Sequence, residues 1–462
     1  MKQYFTTKEY GEWQKLNNVE ERQQLQKFLD NVWEKRAFPF AQDWITDDET
    51  QRENNGQAFL QFDGQNFRAK NFVGFIQTGD IRIDIFPKVF GQEPKDKKLM
   101  VRHLFYWLSY CSKIRFPFLQ SNLDIDHIDS LPELLIFLIS NEIRTQVSSN
   151  PISMYEQKEE IMTTPRGRID FSNYVKHGLS SGNWQNIDCI HEPFVYDNQV
   201  NQIIKYTCRL LQNTTKISEN RQILDAIIFV LDEVEDCFCT VQDIDKVKLS
   251  PLFEAYSDIL QWCRMILEQQ IHSSEHDDST QWCFLIPMEY VFEDFIAGFI
   301  KRHFSDNWKV KPQSSEKYLC EDPSVFLMKH DILLTSKDSE KRIILLDTKY
   351  KLRSEQDFED KKKGVSQNDM YQMVSYGLRR GCNDLYLIYP NLLDDEIRDS
   401  AIFTVESNFT DVPDFKINIH AMELPFWSLM DFEHVSEKLK EELSQILGYK
   451  SSSWIIAGQF SS

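Results

Sequence analysis

The stretch Ile343-Ile344-Leu345-Leu346-Asp347-Thr348-Lys349-Tyr350-Lys351 decides how the rest of the chain is read. An apolar run that ends in a carboxylate and an amine two residues apart reads as a buried strand. Strand side chains alternate faces, so Asp347 and Lys349 emerge side by side at its end. Such a pair on its own is most often a solvated strand end, and its meaning depends on what the neighbouring elements supply.

Upstream, Lys329-His330-Asp331-Ile332-Leu333-Leu334 puts a carboxylate at the mouth of a second apolar run. Asp331 and Asp347 on adjacent strands would repel unless they share a cation, which suits Mg²⁺ and a hydrolytic water held by Lys349. Further upstream, Pro287 to Phe304 has the spacing of an amphipathic helix (Phe292, Phe295, Ile296, Phe299) and opens with a proline suited to a first turn. Glu293 lies at the border of its apolar face as a third candidate ligand, with Glu289 as a rival one turn earlier. Downstream, Gln372 and Tyr376 share one face of a helix spanning 369–380 and point donors toward a phosphate or toward Lys349. Asp369 reads more naturally as the cap of that helix.

Around these residues the pattern predicts strands at 308–310, 324–334, 342–349 and 385–389. With the two helices this gives the order α-β-β-β-α-β over residues 281–400. The remaining 401–462 holds strand-like segments and an amphipathic helix at 435–447, expected to pack on that domain, then a Ser-rich end from Ser451. Residues 1–175 read as an α+β region: a helix at 19–33, hairpin-forming strands at 58–62, 67–76 and 81–86, and helices at 99–110 and 131–147, the second offered a cap by Ser130. Residues 176–280 are mainly helical (198–213, 223–235, 253–270), closing in the polar linker His272–Thr280.

The chain has 462 residues, 41% of them hydrophobic, enough for two to four domains. No run is long and apolar enough to predict a membrane span and no export signal opens the sequence, so a cytoplasmic protein is expected. The nine cysteines show no zinc spacing, Cys237-x-Cys239 included. A formal net charge of −20 excludes a protein that coats nucleic acid by bulk electrostatics. Residues 335–363 are a local exception, with nine Lys/Arg against seven Asp/Glu. No G-x-x-x-x-G-K-[ST] occurs, so no P-loop motor is encoded here.

Taken together, the helix glutamate, the aspartate, the D-x-K and the Q-x-x-x-Y resemble the PD-(D/E)xK, restriction-endonuclease-like fold. More narrowly, Tyr290-Val291-Phe292-Glu293-Asp294-Phe295-Ile296, Leu346-Asp347-Thr348-Lys349-Tyr350-Lys351, Asn368-Asp369-Met370-Tyr371-Gln372-Met373 and Leu387-Ile388-Tyr389-Pro390 resemble the McrC family. Val73-Gly74-Phe75-Ile76, Ile83-Asp84-Ile85-Phe86-Pro87-Lys88, Gly167-Arg168-Ile169-Asp170 and Tyr196-Asp197-Asn198-Gln199-Val200-Asn201 extend the likeness over most of the chain. His330 stands where the fold's name expects proline. The resemblance implies the nuclease subunit of a 5-methylcytosine-specific restriction system of the McrBC type. In that reading Asp331, Asp347, the Thr348 carbonyl and Glu293 would hold Mg²⁺, Lys349 would position water, and Gln372 and Tyr376 would orient Lys349 or the DNA. The partners implied are DNA and an McrB-like AAA+ GTPase ring, docked through the N-terminal region. The alternatives are a RecB-like nuclease subunit of a repair complex and an inactive adaptor that only stimulates a motor.

Overall fold

The computed structural model describes residues 3–35, 57–91, 96–112, 130–155, 157–269, 281–392, 400–406 and 416–448. The expected linker at 272–280 and the Ser-rich end lie outside them. Contacts divide the chain into two compact units, Met1–Asp129 with Cys283–Ser462, and Ser130–Trp282. Of the cuts expected near 175, 280 and 400, the one near 280 coincides with a boundary of these units.

The first strands are β1 (Gln3–Lys8), β2 (Gln14–Lys15), β3 (Leu60–Asp63), β4 (Asn66–Ala69), β5 (Phe72–Thr78) and β6 (Ile81–Phe86). The run expected as one strand over 67–76 is thus broken in two. The second unit holds β7 (Met154–Tyr155), β8 (Lys158–Met162), β9 (Arg168–Ile169), β10 (Ile187–His191) and β11 (Phe194–Val195). Then follow β12 (Trp282–Pro287), β13 (Trp308–Cys320), β14 (Val325–Ser336), β15 (Ile343–Thr348), β16 (Asp384–Pro390), β17 (Ala401–Glu406) and β18 (Lys416–Leu424).

β12, absent from the sequence reading, is buried at all six positions and closes a four-stranded sheet ordered β1-β6-β5-β12. A continuous apolar run is what a strand covered on both faces requires. Gly74 marks the contact between β5 and β12: at φ +136° a Cβ there would lie 1.8 Å from the Phe284 carbonyl oxygen, so only glycine fits. β12 therefore pairs into the N-terminal sheet, and the boundary between the two units falls at Trp282, close to the cut expected at 280.

The second sheet of this unit has six strands, ordered β13-β14-β15-β16-β18-β17. β14 pairs antiparallel with β13 and β15, whereas β16 runs parallel to β15 and to β18. β18 lies between β16 and β17, so 401–462 is not an extension laid on a finished domain but contributes strands to its sheet. Leu345, Leu385, Leu387, Tyr389, Ile417 and Ile419 form one core with Met373 and Tyr376 of the helix Gln367–Arg380. The helix Met288–Phe304 packs against β13 and β14. The helix Lys97–Leu108 joins the same unit through Trp107, whose ring stacks on Phe426 at 3.9 Å and whose Nε1–H donates to the Phe426 carbonyl at 2.8 Å.

The second unit is a group of helices, Leu131–Ser149, Gln199–Thr214, Ser218–Val230 and Tyr256–Gln269, with the short strands β7–β11. Ser130 occupies the N-cap position of its helix but makes no side-chain cap bond; Pro132 at the helix start already removes one of the amide donors a cap would serve. Asn198 does cap, its Oδ1 accepting the Asn201 N–H at 3.1 Å, while the amides of Asn198 and Asn201 both donate to the Ile152 carbonyl. The Asn-x-x-Asn spacing is therefore architectural. So is Gly167, at φ +69°, where a Cβ would lie 2.4 Å from the Ile190 oxygen.

Candidate active site

The site forms where β14 and β15 part. Their last paired residues are Ile332 and Leu346, and beyond them the Asp331 side chain spans the opening. Its Oδ2 accepts the Thr348 N–H at 2.7 Å and the Thr348 hydroxyl at 2.9 Å. Within an extended strand a residue's N–H and C=O point to the same edge, so the Thr348 carbonyl faces the Asp331 side as well.

Asp347 follows Leu345 on the face covered by the helix Gln367–Arg380, and it is fully buried. Lys349 Nζ approaches its Oδ2 to 2.7 Å as an ion pair. Neither Asp347 oxygen receives an aligned hydrogen bond from any described residue. Burial pushes the Asp347 carboxyl well above the usual carboxylate range and Asp331 beside it pushes the same way, while Lys349 pulls it back. Burial alone would lower the Lys349 ammonium, but Asp347 and Asp331 outweigh it and hold the lysine charged.

Behind Lys349 runs a short relay. Gln372 Oε1 lies 3.5 Å from the ammonium, Gln372 Nε2 donates to the Tyr376 oxygen at 2.7 Å, and the Tyr376 hydroxyl donates to the Lys329 carbonyl at 2.6 Å. The i, i+4 spacing on one helix face thus ties the lysine to the strand that carries Asp331. His330, fully buried, donates through Nδ1–H to the Ser314 carbonyl, 2.9 Å away, and its ring packs on Tyr376 at 4.4 Å. Burial lowers its pKa, so it serves as a neutral wall of the site.

Asp369 is not the helix cap. Ser366 takes that place, its hydroxyl accepting the Asp369 N–H at 3.1 Å, because an N-cap must precede the first helical turn and the helix begins at Gln367. Asp369 instead meets Lys351 at 3.4 Å.

Glu293 is half-buried and lines a small cavity with Ser112, Asp294 and Gln313. Gln313 lies opposite Asp331, since its neighbours Pro312 and Ser314 pair with Ile332 and His330. Asp294 is engaged elsewhere, accepting the Ser112 N–H at 2.6 Å and its hydroxyl at 2.8 Å. Among the described residues no three His, Cys, Asp or Glu side chains gather closely enough to share one ion, so the carboxylates brought together are Asp331 and Asp347. Glu289, the rival, is exposed and stands near Glu9 and Tyr350.

A model of the family described as a McrBC 5-methylcytosine restriction system component matches residues 67–390. The chain belongs to the McrBC family. Among solved structures, one chain of an assembly from Thermococcus gammatolerans is similar to it, with a TM-score of 0.66 at 14% identity, covering 96% of this chain and 100% of that one. That assembly is described as a refined half-complex from a tetradecameric assembly of McrB AAA+ hexamers with bound McrC. A chain from a cryo-EM structure of the same organism's McrBC complex aligns at a TM-score of 0.47 and 16% identity, over 65% of this chain and 88% of that chain. At these identities the likeness is one of fold. No curated protein matches the chain. The family match bears out the resemblance to McrC proteins and spans every residue of the site described above.

For this McrBC-family chain the donor set suits a hard divalent cation. Two buried oxygens of Asp347 without aligned donors, Asp331 beside them and a main-chain carbonyl on the same edge are oxygen ligands, and Mg²⁺ is commonly held by one or two carboxylates with water completing its shell. The Lys349 ammonium, 2.7 Å from Asp347, offsets one of the two carboxylate charges of the pocket. No described helix is long and apolar enough to cross a membrane. The sequence reading missed the contacts of Tyr350 and Glu9, which lie 341 positions apart and leave no local signal.

Proposed function

We propose that the chain is the DNA-cleaving, McrC-type subunit of a 5-methylcytosine-dependent restriction complex, with its site in a PD-(D/E)xK domain. The observation that carries this reading is the fully buried Asp347 with no aligned donor, set beside Asp331 and paired with Lys349. Lys349 answers one of the two carboxylate charges, Asp331 leaves a second, and a cation would offset the excess; a purely structural role is better served by an apolar residue.

Asp331, Asp347 and the Thr348 carbonyl would hold Mg²⁺. When bound, the ion supplies Lewis-acid polarisation of the phosphate and a water acidified for attack. Lys349, held charged by its two carboxylate neighbours, can leave Asp347 and turn its ammonium toward the phosphate and the attacking water, offsetting charge as it builds on phosphorus. Gln372 limits where that ammonium can go, and Tyr376 fixes Gln372 through its own bond to the Lys329 carbonyl. Glu293 would extend the shell through water.

The neighbouring Thermococcus gammatolerans assembly, which contains McrB AAA+ hexamers with bound McrC, supports the same arrangement here: docking of this chain on an McrB-like GTPase ring that supplies motion and base recognition. The acidic net charge of −20 favours delivery to DNA by such a partner over capture by charge alone.

The test is two-sided. With the partner ring, GTP, Mg²⁺ and methylated DNA, Lys349→Ala abolishes cleavage while the complex still assembles. In the absence of DNA, Mg²⁺ raises the melting temperature by about 2–4 °C in the unmodified chain and not in Asp347→Asn. Cleavage by Lys349→Ala at the unmodified rate would falsify the assignment, and an Mg²⁺ response retained by Asp347→Asn would remove the proposed ligand.

A further inference from the structure

Tyr350 directly follows the lysine of the D-x-K, just beyond the end of β15. Its ring is buried, 6.0 Å from Phe292 and 6.2 Å from Phe426, and its hydroxyl donates to Glu9 Oε2 at 2.9 Å. The same carboxylate oxygen accepts the Lys88 main-chain N–H at 3.1 Å, and the Lys88 ammonium lies 4.5 Å over the Tyr350 ring. Glu9 is 2% exposed, and its Oε1 has no hydrogen-bond partner among the described residues.

These groups are themselves well anchored. β1 and β6 run parallel up to the pair Lys8 and Phe86, and the Glu9 N–H donates to the Phe86 carbonyl at 3.0 Å, so Glu9 and Lys88 sit at the finished end of that pairing. The other side of the contact is less constrained. The Lys349 N–H bonds the Ile388 carbonyl at 2.7 Å and the Lys351 N–H bonds the Lys349 carbonyl at 2.7 Å, so the chain turns about Tyr350 just after β15 ends. What fixes the turn beyond the sheet is Tyr350. An apolar residue would fill the same space; a hydroxyl bound to a carboxylate adds direction as well as contact.

We propose that Glu9 and Lys88, acting through Tyr350, are positioning residues that aim Lys349 at Asp347 and Gln372. The inference deepens the nuclease reading and rests on it. It makes the far end of the N-terminal sheet part of the site's support, although no residue of that sheet touches the carboxylates.

The experiment uses the full chain with its partner ring and compares single-turnover cleavage at saturating protein, DNA affinity and melting temperature. Tyr350→Phe, which keeps the ring, and Glu9→Ala each lower the single-turnover rate about tenfold, the scale expected for a small misplacement of a catalytic group, with DNA affinity unchanged. The double variant is no slower than the slower single one, because both remove one contact. Glu9→Gln, whose amide oxygen still accepts from Tyr350 and Lys88, stays within about threefold of the unmodified rate. If Tyr350→Phe only lowers the melting temperature and cleaves at the unmodified rate, while Lys349→Ala is inactive, the positioning role is wrong and the nuclease reading stands. An active Lys349→Ala overturns both.

Discussion

Two buried carboxylates in this chain have opposite surroundings. Glu133, on the helix Leu131–Ser149, accepts the Thr215 hydroxyl at 2.6 Å, the Lys216 N–H at 2.7 Å and the Asn220 amide at 2.9 Å. Asp347, more deeply buried, has an ammonium at 2.7 Å and no aligned donor among the described residues. In the first case fixed dipoles replace the water that burial removed, which is how a structural charge is accommodated. In the second the replacement is incomplete, and the partner that is present sits on a side chain able to swing away. Burial alone therefore does not separate the two carboxylates; the lack of fixed donors around Asp347 is what supports the role proposed for it.

The contrast can be broken at either end. Asp347→Asn and Lys349→Ala are expected to reduce cleavage on the order of 10³-fold, as when a group that stabilises transition-state charge is lost. Asp347→Asn is also expected to melt no lower than the unmodified chain in metal-free buffer, since burial and the neighbouring Asp331 both disfavour the charge it removes. A large stability loss there would put Asp347 in the same class as Glu133.

Glu133→Ala should do the reverse. It strands the Thr215, Lys216 and Asn220 donors at a cost of about 3 kcal/mol, read by chemical denaturation, and leaves cleavage per folded molecule unchanged.

Glu9 lies between the two cases, with two donors on one oxygen and none on the other. Burial pushes its carboxyl up to about 7; Lys88 lowers it and Glu289 adds to the rise. A folded-state pKa above the unfolded one means that stability is fully present below about pH 4.5 and is lost as pH rises through about 7. A shift of that size amounts to about 3 kcal/mol at most. Glu9→Gln should flatten the stability profile in that window, and an unchanged slope would show that Glu9 is not the group responsible. The smallest effect is expected in the relay: Gln372→Ala and Tyr376→Phe each slow single-turnover cleavage about tenfold, with no change in Mg²⁺ response.

Much of the site was legible because its parts are local and periodic. The D-x-K ends an apolar strand, Asp331 opens another, and Gln372 and Tyr376 are one helical turn apart, so alternation and the 3.6-residue period bring them to one place. Other features had no such signal. β12 is six apolar residues running straight into a helix, and an apolar run that short does not distinguish a strand from a helix start. β13 extends to Cys320 through exposed, mixed-polarity residues, where no face is buried to impose a pattern. The place of β18 beside β16 depends on pairings that only the folded sheet displays. Ser366 and Asp369 are both capping residue types three positions apart, and only the observed start of the helix at Gln367 assigns the cap to Ser366.

The position of β18 has a consequence for biosynthesis. All six side chains assigned to the chemistry have been translated once Tyr376 leaves the ribosome, yet β16 keeps an open edge until Lys416–Leu424 arrives to pair with it. Trp107 waits longer still, since the carbonyl it binds lies 319 residues downstream. A nascent product ending before β18 would thus carry all six candidate side chains on an unclosed sheet, and the proposed site would be fully supported only after Lys416–Leu424 has paired.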